Sequence, residues 1–357
     1  DVGTENEKRR SNPFYLGLQQ PRIRGEAYDT LLEEFVRAAN DVFPGVLIQL
    51  EDFATQNAFN LLQKYRTRTC LFNDDIQGTA SVALAGILSA LRIIGEALPD
   101  QKLLFLGAGE AGVGIAEIVV AALMDEGMQE EQARQHCWLM DSKGLVCASR
   151  TNLAPHKLAF AHDHPFIEGF HNAVQQLRPT AVIGVSGQPS KFDEQVIRAM
   201  CEYRERPIVF ALSNPTSKSE CTAGQAYEWS DGRAIFASGS PFDPVVWNGK
   251  TLTPGQGNNV YIFPGLGLGV LYSEARQVTD RMFLIAARIV SENVSDAELG
   301  QGRVYPSFER IREVSSKIAA AVAQEAVDNG LSQKELPDNL IEDIKTYMYH
   351  PEYPQYI

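Results

Sequence analysis

Excess cationic charge, paired cysteines and a long unbroken apolar run are all missing from this chain of 357 residues. Lys and Arg number 32 against 45 Asp and Glu, so a formal charge of −13 repels polyanions and excludes nucleic acid and anionic membranes as partners. The five cysteines, Cys70, Cys137, Cys147, Cys201 and Cys221, form no CxxC pair and no metal-type spacing, and their number is odd. They read as reduced thiols of an intracellular protein. The most apolar stretch, Thr79 to Ile94, is interrupted by Ser81, Gly86, Ser89 and Arg92 and falls short of a bilayer span, which predicts a buried helix. The N-terminal Asp1 to Asn12 is charged and lacks the apolar core of a signal peptide. Internal repeats and low-complexity segments are absent too. The sequence begins without Met, as though mid-domain, so a processed or truncated chain is expected.

What is present is an alternation of helical and strand patterns. Tyr28, Leu31, Leu32, Phe35, Val36 and Ala39 recur at helical spacing, and Pro44-Gly45 closes that helix before the strand-like run Val46 to Leu50. The strand ends on Glu51-Asp52. After a short helix around Ala58, Leu61 and Leu62, the run Cys70-Leu71-Phe72 ends on Asn73-Asp74-Asp75, so two strands end in acidic residues. Further apolar runs lie at Lys102 to Leu106, Cys137 to Met140, Ala181 to Val185, Ile208 to Leu212 and Ala234 to Ala237. The fold class expected is α/β, a Rossmann-like doubly wound parallel sheet. Ligands of such sheets bind beyond the carboxyl ends of strands, where Asp141, Ser186-Gly187 and Ser213-Asn214 fall. Gly330 to Ile357 is rich in Pro and Tyr and reads as a tail that wraps over another surface.

Three groups of residues carry chemistry. Gly107, Gly109 and Gly112 form a GxGxxG directly after a strand and at the mouth of a helix. The first glycine permits a tight turn, the second lets backbone approach a pyrophosphate, and the third allows close helix packing; the helix N-terminus attracts the negative charge. The competing reading is a plain connecting turn, and the flanking strand and helix favour nucleotide binding. Asp141 stands where the acidic residue of the next strand belongs, with Ser142 and Lys143 offering a hydroxyl and a cation to a phosphate on the adenosine ribose. A solvated Asp-Ser-Lys-Gly turn accounts for these residues equally well. Glu51, Asp52 and Asp75 can present carboxylate oxygens to a hard divalent cation, although solvent-facing loop carboxylates or helix caps are the commoner outcome. Asn214, Asn258 and Asn259 sit in loops beside Gly or Pro, where an amide can bind a carboxylate or merely shape a turn.

Taken together, Leu50-Glu51-Asp52-Phe53, Phe72-Asn73-Asp74-Asp75-Ile76-Gln77-Gly78-Thr79, Phe105-Leu106-Gly107-Ala108-Gly109-Glu110-Ala111, Leu212-Ser213-Asn214-Pro215-Thr216 and Pro254-Gly255-Gln256-Gly257-Asn258-Asn259 closely resemble malic enzyme, over Asp1 to about Gly330. The resemblance implies NADP-dependent oxidative decarboxylation of L-malate to pyruvate and carbon dioxide by way of oxaloacetate. It implies Mg or Mn held by Glu51, Asp52 and Asp75, substrate amides at Asn214 and Asn259, and Asp74 as the carboxylate that orients a catalytic lysine. The cofactor contacts it implies are Gly107, Gly109, Gly112, Asp141, Ser142, Lys143, Asn214 and Lys157, the last standing where NADP-specific members carry a lysine. It also implies a homo-oligomer, dimer or tetramer.

Family architecture places residues 1–73 and 259–330 in one α/β domain, into which 74–258 is inserted as the nucleotide domain, with 331–357 as a C-terminal tail. The tyrosine acid, the lysine base and a substrate-gripping arginine of the family match no stretch of this sequence; they belong upstream, so this chain alone is expected to be inactive. Two other readings stay open at this stage: a malolactic-type enzyme that retains NAD, and a non-catalytic nucleotide-binding fragment. The compartment expected is intracellular, with cytoplasm favoured over mitochondrion or plastid.

Overall fold

In the computed structural model, which describes residues 1–332 and 334–353, compactness divides the chain once, at Leu47–Ile48. The first unit holds a short helix α1 (Glu7–Arg10), capped by the Asn6 side chain, and the amphipathic α2 (Glu26–Val42) expected from its helical spacing. No residue of α2 is buried.

The second unit opens with a parallel pair, β1 (Ile48–Leu50) and β2 (Leu71–Asn73), joined by α3 (Thr55–Tyr65). Asn73 then caps a π-helical turn, Asp74–Gly78, by accepting the Ile76 N–H at 2.9 Å, and this turn runs without a break into α4 (Thr79–Ile94). The continuous segment Asp74–Ile94 reaches 21 residues, long and apolar enough for a bilayer, contrary to the expectation that it falls short. It is nevertheless a core helix, most of its apolar stretch buried and packed against later helices.

Next come β3 (Leu103–Leu106), α5 (Glu110–Asp125), α6 (Glu130–Arg134), β4 (Cys137–Asp141) and the two-residue β5 (Gly144–Leu145). They are followed by α7 (Phe170–Leu177), β6 (Ala181–Gly184), α8 (Glu194–Cys201), β7 (Ile208–Ala211), α9 (Ala223–Trp229) and β8 (Ile235–Ser238). A hairpin of β9 (Val245–Trp247) and β10 (Lys250–Leu252) precedes β11 (Gly255–Gln256). The main sheet has seven strands in the order β11-β8-β7-β6-β3-β4-β5, parallel throughout except for β5. This is the doubly wound sheet expected. The chain winds outward from β3 to β4, then crosses to the other side of β3 and continues through β6, β7 and β8. That reversal is the topological switch point at which such sheets bind ligands.

The last part is helical: α10 (Phe263–Ser273), α11 (Asp280–Glu292), α12 (Asp296–Gly300), α13 (Ile311–Asp328) and α14 (Leu340–Tyr347). Here α11 packs on α4, and α10 on α13. Residues 48–73, 74–258 and 259–330 all fall within the second compact unit. Within the segment expected as a tail, 331–357, α14 inserts the fully buried Ile344 among Tyr272, Ala319 and Ala323; residues 333 and 354–357 lie outside the described residues. All five thiols are free, and four are buried.

One contact ties the acidic strand end to the late helices. Phe72 on β2, fully buried, meets Phe283 on α11 edge to face, with centroids 5.7 Å apart. Phe72→Ala or Phe283→Ala should cost about 3–5 kcal/mol by urea denaturation. In the double variant a coupling of about 0.5–1.5 kcal/mol should remain, the amount a specific ring pair adds beyond buried area. Strict additivity would show that the two rings act as independent filling.

Candidate active site

Two clusters of site residues form, and helix α5 connects them. The first lies where β1 and β2 end side by side. Because the pair is parallel and Leu50 is in register with Asn73, the acidic residues after each strand emerge at the same edge. Asp52 adopts a left-handed backbone, φ 57°, which costs a non-glycine residue roughly 1–2 kcal/mol but is most tolerable for Asp or Asn. That conformation directs its N–H onto Asp75 Oδ2 at 2.7 Å. Asp74 is 2% exposed; its Oδ2 accepts the Asn259 amide at 2.9 Å, while its Oδ1 has no hydrogen-bond partner.

Among the described residues, hydrogen bonds and neighbouring carboxylates, rather than cations, surround this cluster. Burial, reinforced by Glu51 and Asp75, raises the Asp74 carboxyl to about 7 against the opposing Asn259 hydrogen bond. Burial likewise raises Glu51, with Asp75 and Asp52 adding to it against a hydrogen bond from Gln49. Asp75 is raised by burial and by Asp52, against the Asp52 N–H. Among the described residues, no three His, Cys, Asp or Glu side chains are arranged as a finished ligand cage. The donor chemistry nevertheless suits a hard divalent cation: all oxygen, all carboxylate, mutually repelling, with one buried oxygen unpartnered.

The second cluster surrounds the glycine turn after β3. Gly107 has φ 120° and packs so tightly that a Cβ would lie 2.7 Å from Val185 O; at Gly112 a Cβ would meet Gly107 O at 2.0 Å. At Gly109 a Cβ would meet nothing within 4 Å, so its backbone faces open space. The three glycines thus differ in the way dinucleotide binding requires: tight turn, open approach, close helix packing. Gly109 is also the N-cap of α5 and provides no side chain to satisfy the first helical N–H groups, which leaves them for an anion. The turn opens into a cavity of about 1170 Å³ at the switch point, bounded by Asp141, Ser142, Lys143 and Lys157 on one side and by Val185, Ser186 and Lys191 on the other.

Within that cavity Asp141 is not a free ribose acceptor. Arg150 grips both of its oxygens at 3.0 Å, Lys157 donates to Oδ2 at 2.8 Å, and the Lys143 N–H donates to Oδ1 at 2.9 Å. Burial acts upward on this carboxyl, but the donors outweigh it and hold Asp141 at about 2. One carboxylate between two cations leaves the group net positive, and Ser142 and Lys143 are exposed beside it. Sequence reasoning missed Arg150. It stands nine positions after Asp141 in a polar stretch, and only the reversal of the chain through β5 returns it to the strand end.

The two predicted amides behave differently. Asn259 donates its amide nitrogen to Asp74 O and Oδ2 and to Thr79 Oγ1, so in this structure it holds the buried carboxylate. Asn214 is exposed after β7, its oxygen accepting the Ser240 hydroxyl at 2.9 Å. The link between the clusters is the π turn, which packs on α5: Gly114 on that helix lies against Ile76 O.

The sign of the Asp141 shift generates a test. Its folded value, about 2, lies below the ordinary 3.8, so its stabilisation is complete above about pH 4 and is lost as pH falls towards 2. Wild type should exceed Asp141→Asn by roughly 1–2 kcal/mol in urea denaturation at pH 7. The gap should narrow between pH 4 and 3; a constant gap would mean that ionised Asp141 does not contribute.

With this geometry in place, comparison with known proteins is specific. The family model described as "Malic enzyme, NAD binding domain" matches residues 76–327, and "Malic enzyme, N-terminal domain" matches 1–66. The chain is 51% identical to the NADP-dependent malic enzyme of Mus musculus, over 99% of this chain and 63% of the relative. It is 50% identical to the chloroplastic NADP-dependent malic enzyme of Flaveria pringlei, over 100% of this chain and 56% of the relative. Among solved structures, the Entamoeba histolytica malic enzyme superposes with a TM-score of 0.73 at 25% identity, covering 89% of this chain and 61% of that one. The Pyrococcus horikoshii Ot3 malic enzyme gives 0.72 at 26%, covering 92% and 71%. The chain spans 63% and 56% of the length of these two curated relatives. Its matched domains, its identity of about half to these relatives across nearly the whole of this chain, and its fold show that it belongs to the malic enzyme family.

Proposed function

We propose that the protein acts in the NADP-linked, metal-dependent oxidative decarboxylation of L-malate to pyruvate and carbon dioxide. The observation that carries this reading is the coupling, through α5, of an uncompensated carboxylate corner to a dinucleotide turn. A metal site and a hydride acceptor site sharing one helix suit a substrate that must be oxidised and decarboxylated in a single pocket. The relatives named NADP-dependent malic enzymes support it.

Each residue then has a physical task. Glu51, Asp52 and Asp75 would hold Mg²⁺ or Mn²⁺, whose bound form supplies Lewis-acid polarisation of substrate oxygen. The α5 N-terminus and the Gly109 backbone receive the pyrophosphate. Lys157, with Arg150 and Lys143, provides the positive field for the 2′-phosphate, and Ser142 adds a hydroxyl donor. Asn214 donates its amide to a substrate carboxylate. Asn259 fixes Asp74, the carboxylate that in this reading orients a lysine base.

Two experiments on the natural polypeptide containing this chain test the reading. Asp75→Ala should cut malate turnover by orders of magnitude while NADP binding persists, and full activity of that variant in the presence of a chelator would remove the metal site. Lys157→Gln should raise the Michaelis constant for NADP by roughly 10-fold to 100-fold and leave NAD nearly unaffected, since one hydrogen bond to a charged group contributes about 1.5–3 kcal/mol. A wild-type preference for NAD would refute the NADP assignment.

A further inference from the structure

Glu220, in the loop before α9, is completely buried, and no cation pairs with it among the described residues. Its Oε1 accepts the Ser213 hydroxyl at 2.6 Å and both the hydroxyl and the N–H of Ser186 at 3.1 Å; Oε2 accepts the Ser213 N–H at 3.4 Å. The carboxyl fits only because β6 ends in Gly184, where a Cβ would lie 2.5 Å from Glu220 Cδ. An unpaired carboxylate in a core costs several kcal/mol unless hydrogen bonds replace its water. Here four donors do so, all from the ends of two adjacent strands.

The direction of the hydrogen bonds matters. A carboxylate only accepts, so both serine protons must point at Glu220, and each hydroxyl oxygen then faces outward as an acceptor. Ser213 Oγ accepts the Gly187 N–H at 2.9 Å, and Ser186 Oγ accepts the Gln188 N–H at 3.1 Å. The backbone of the same loop adds Phe192 N–H to Glu220 O at 3.0 Å. One buried charge thereby sets the loop after β6, whose Val185, Ser186 and Gln188 line the dinucleotide cavity, and the residue preceding Asn214.

We propose that Glu220 is a positioning residue for the cofactor site, shaping the wall on the β6 side of β3, away from the Asp141 cluster. The inference rests on the dinucleotide-binding reading. A rigid loop presents its backbone to the cofactor without paying ordering entropy on binding, and a loosened one does not. Because the 2′-phosphate group of residues lies on the β4 side, loss of this wall weakens NADP and NAD alike.

Calorimetric titration of the natural polypeptide with NADP and with NAD tests this. Glu220→Gln keeps the volume but places an amide donor against the Ser213 N–H, and should weaken both nucleotides by about 10-fold, leaving their ratio unchanged. Ser213→Ala, which leaves the Ser186 donors on Glu220, should weaken both in the same sense by a smaller factor, and it decides the matter if the Gln variant does not fold. Variants that lose thermal stability yet bind both nucleotides within 2-fold of wild type would make Glu220 purely structural and overturn the inference. A shift in the NADP to NAD ratio would also overturn it. Wild-type protein that fails to bind NADP saturably would instead overturn the dinucleotide reading beneath it.

Discussion

Strand β3 is the constraint on which the rest depends. It is hydrogen-bonded on both edges, to β4 through Leu103↔Cys137 and to β6 through Leu103↔Ala181, and its residues from Leu103 to Phe105 are fully buried. The chain leaves β3 in one direction, to β4, and resumes on its other side at β6; right-handed crossovers in opposite directions lie on opposite faces of the sheet, so the connections part at the carboxyl end of β3. The glycine turn, the Asp141 cluster and the Ser186 loop stand around that opening because β3, β4 and β6 end together. Gly107 N–H bonding to Met140 O, and Val185 N–H to Leu106 O, hold the three ends level.

Around this frame the protein solves the problem of a buried carboxylate in three ways. Asp141 is surrounded by Arg150 and Lys157 and stays strongly acidic. Glu220 is satisfied by hydroxyl and amide dipoles alone. Buried Asp74 and half-buried Asp75, beside the exposed Glu51, have neither remedy in full: loss of water raises all three, Glu51 and Asp75 add to it at Asp74, and Asp52 adds to it at Asp75. The first two arrangements are complete within the chain. The third is not, and positive charge from outside would complete it, which is the ground for proposing a metal held by Glu51, Asp52 and Asp75.

The elements that sequence periodicity could place are those whose period survives burial. The apolar runs expected at 102–106, 137–140, 181–185, 208–212 and 234–237 became β3, β4, β6, β7 and β8, and the buried helix begins and ends at Thr79 and Ile94 as expected. The two-residue strands β5 and β11 are too short to carry a period, and the half-exposed hairpin β9–β10 shows no apolar alternation. The extent of the second unit has no local signal either, because packing of α4 against α11 joins segments about 200 positions apart.

The sequence by itself determined the sheet class, the glycine turn and the identity of the acidic and amide residues, since these are properties of residue type and near-neighbour spacing. Only the tertiary structure decided their partners. Arg150 reached Asp141 through a chain reversal, and Asn259 reached Asp74 across 185 positions of sequence. Glu220 reached Ser186 through the adjacency of β6 and β7. Hydrogen bonds and ion pairs act over about 3 Å, and which groups come within that distance depends on the packing of whole elements rather than on the order of residues along the chain.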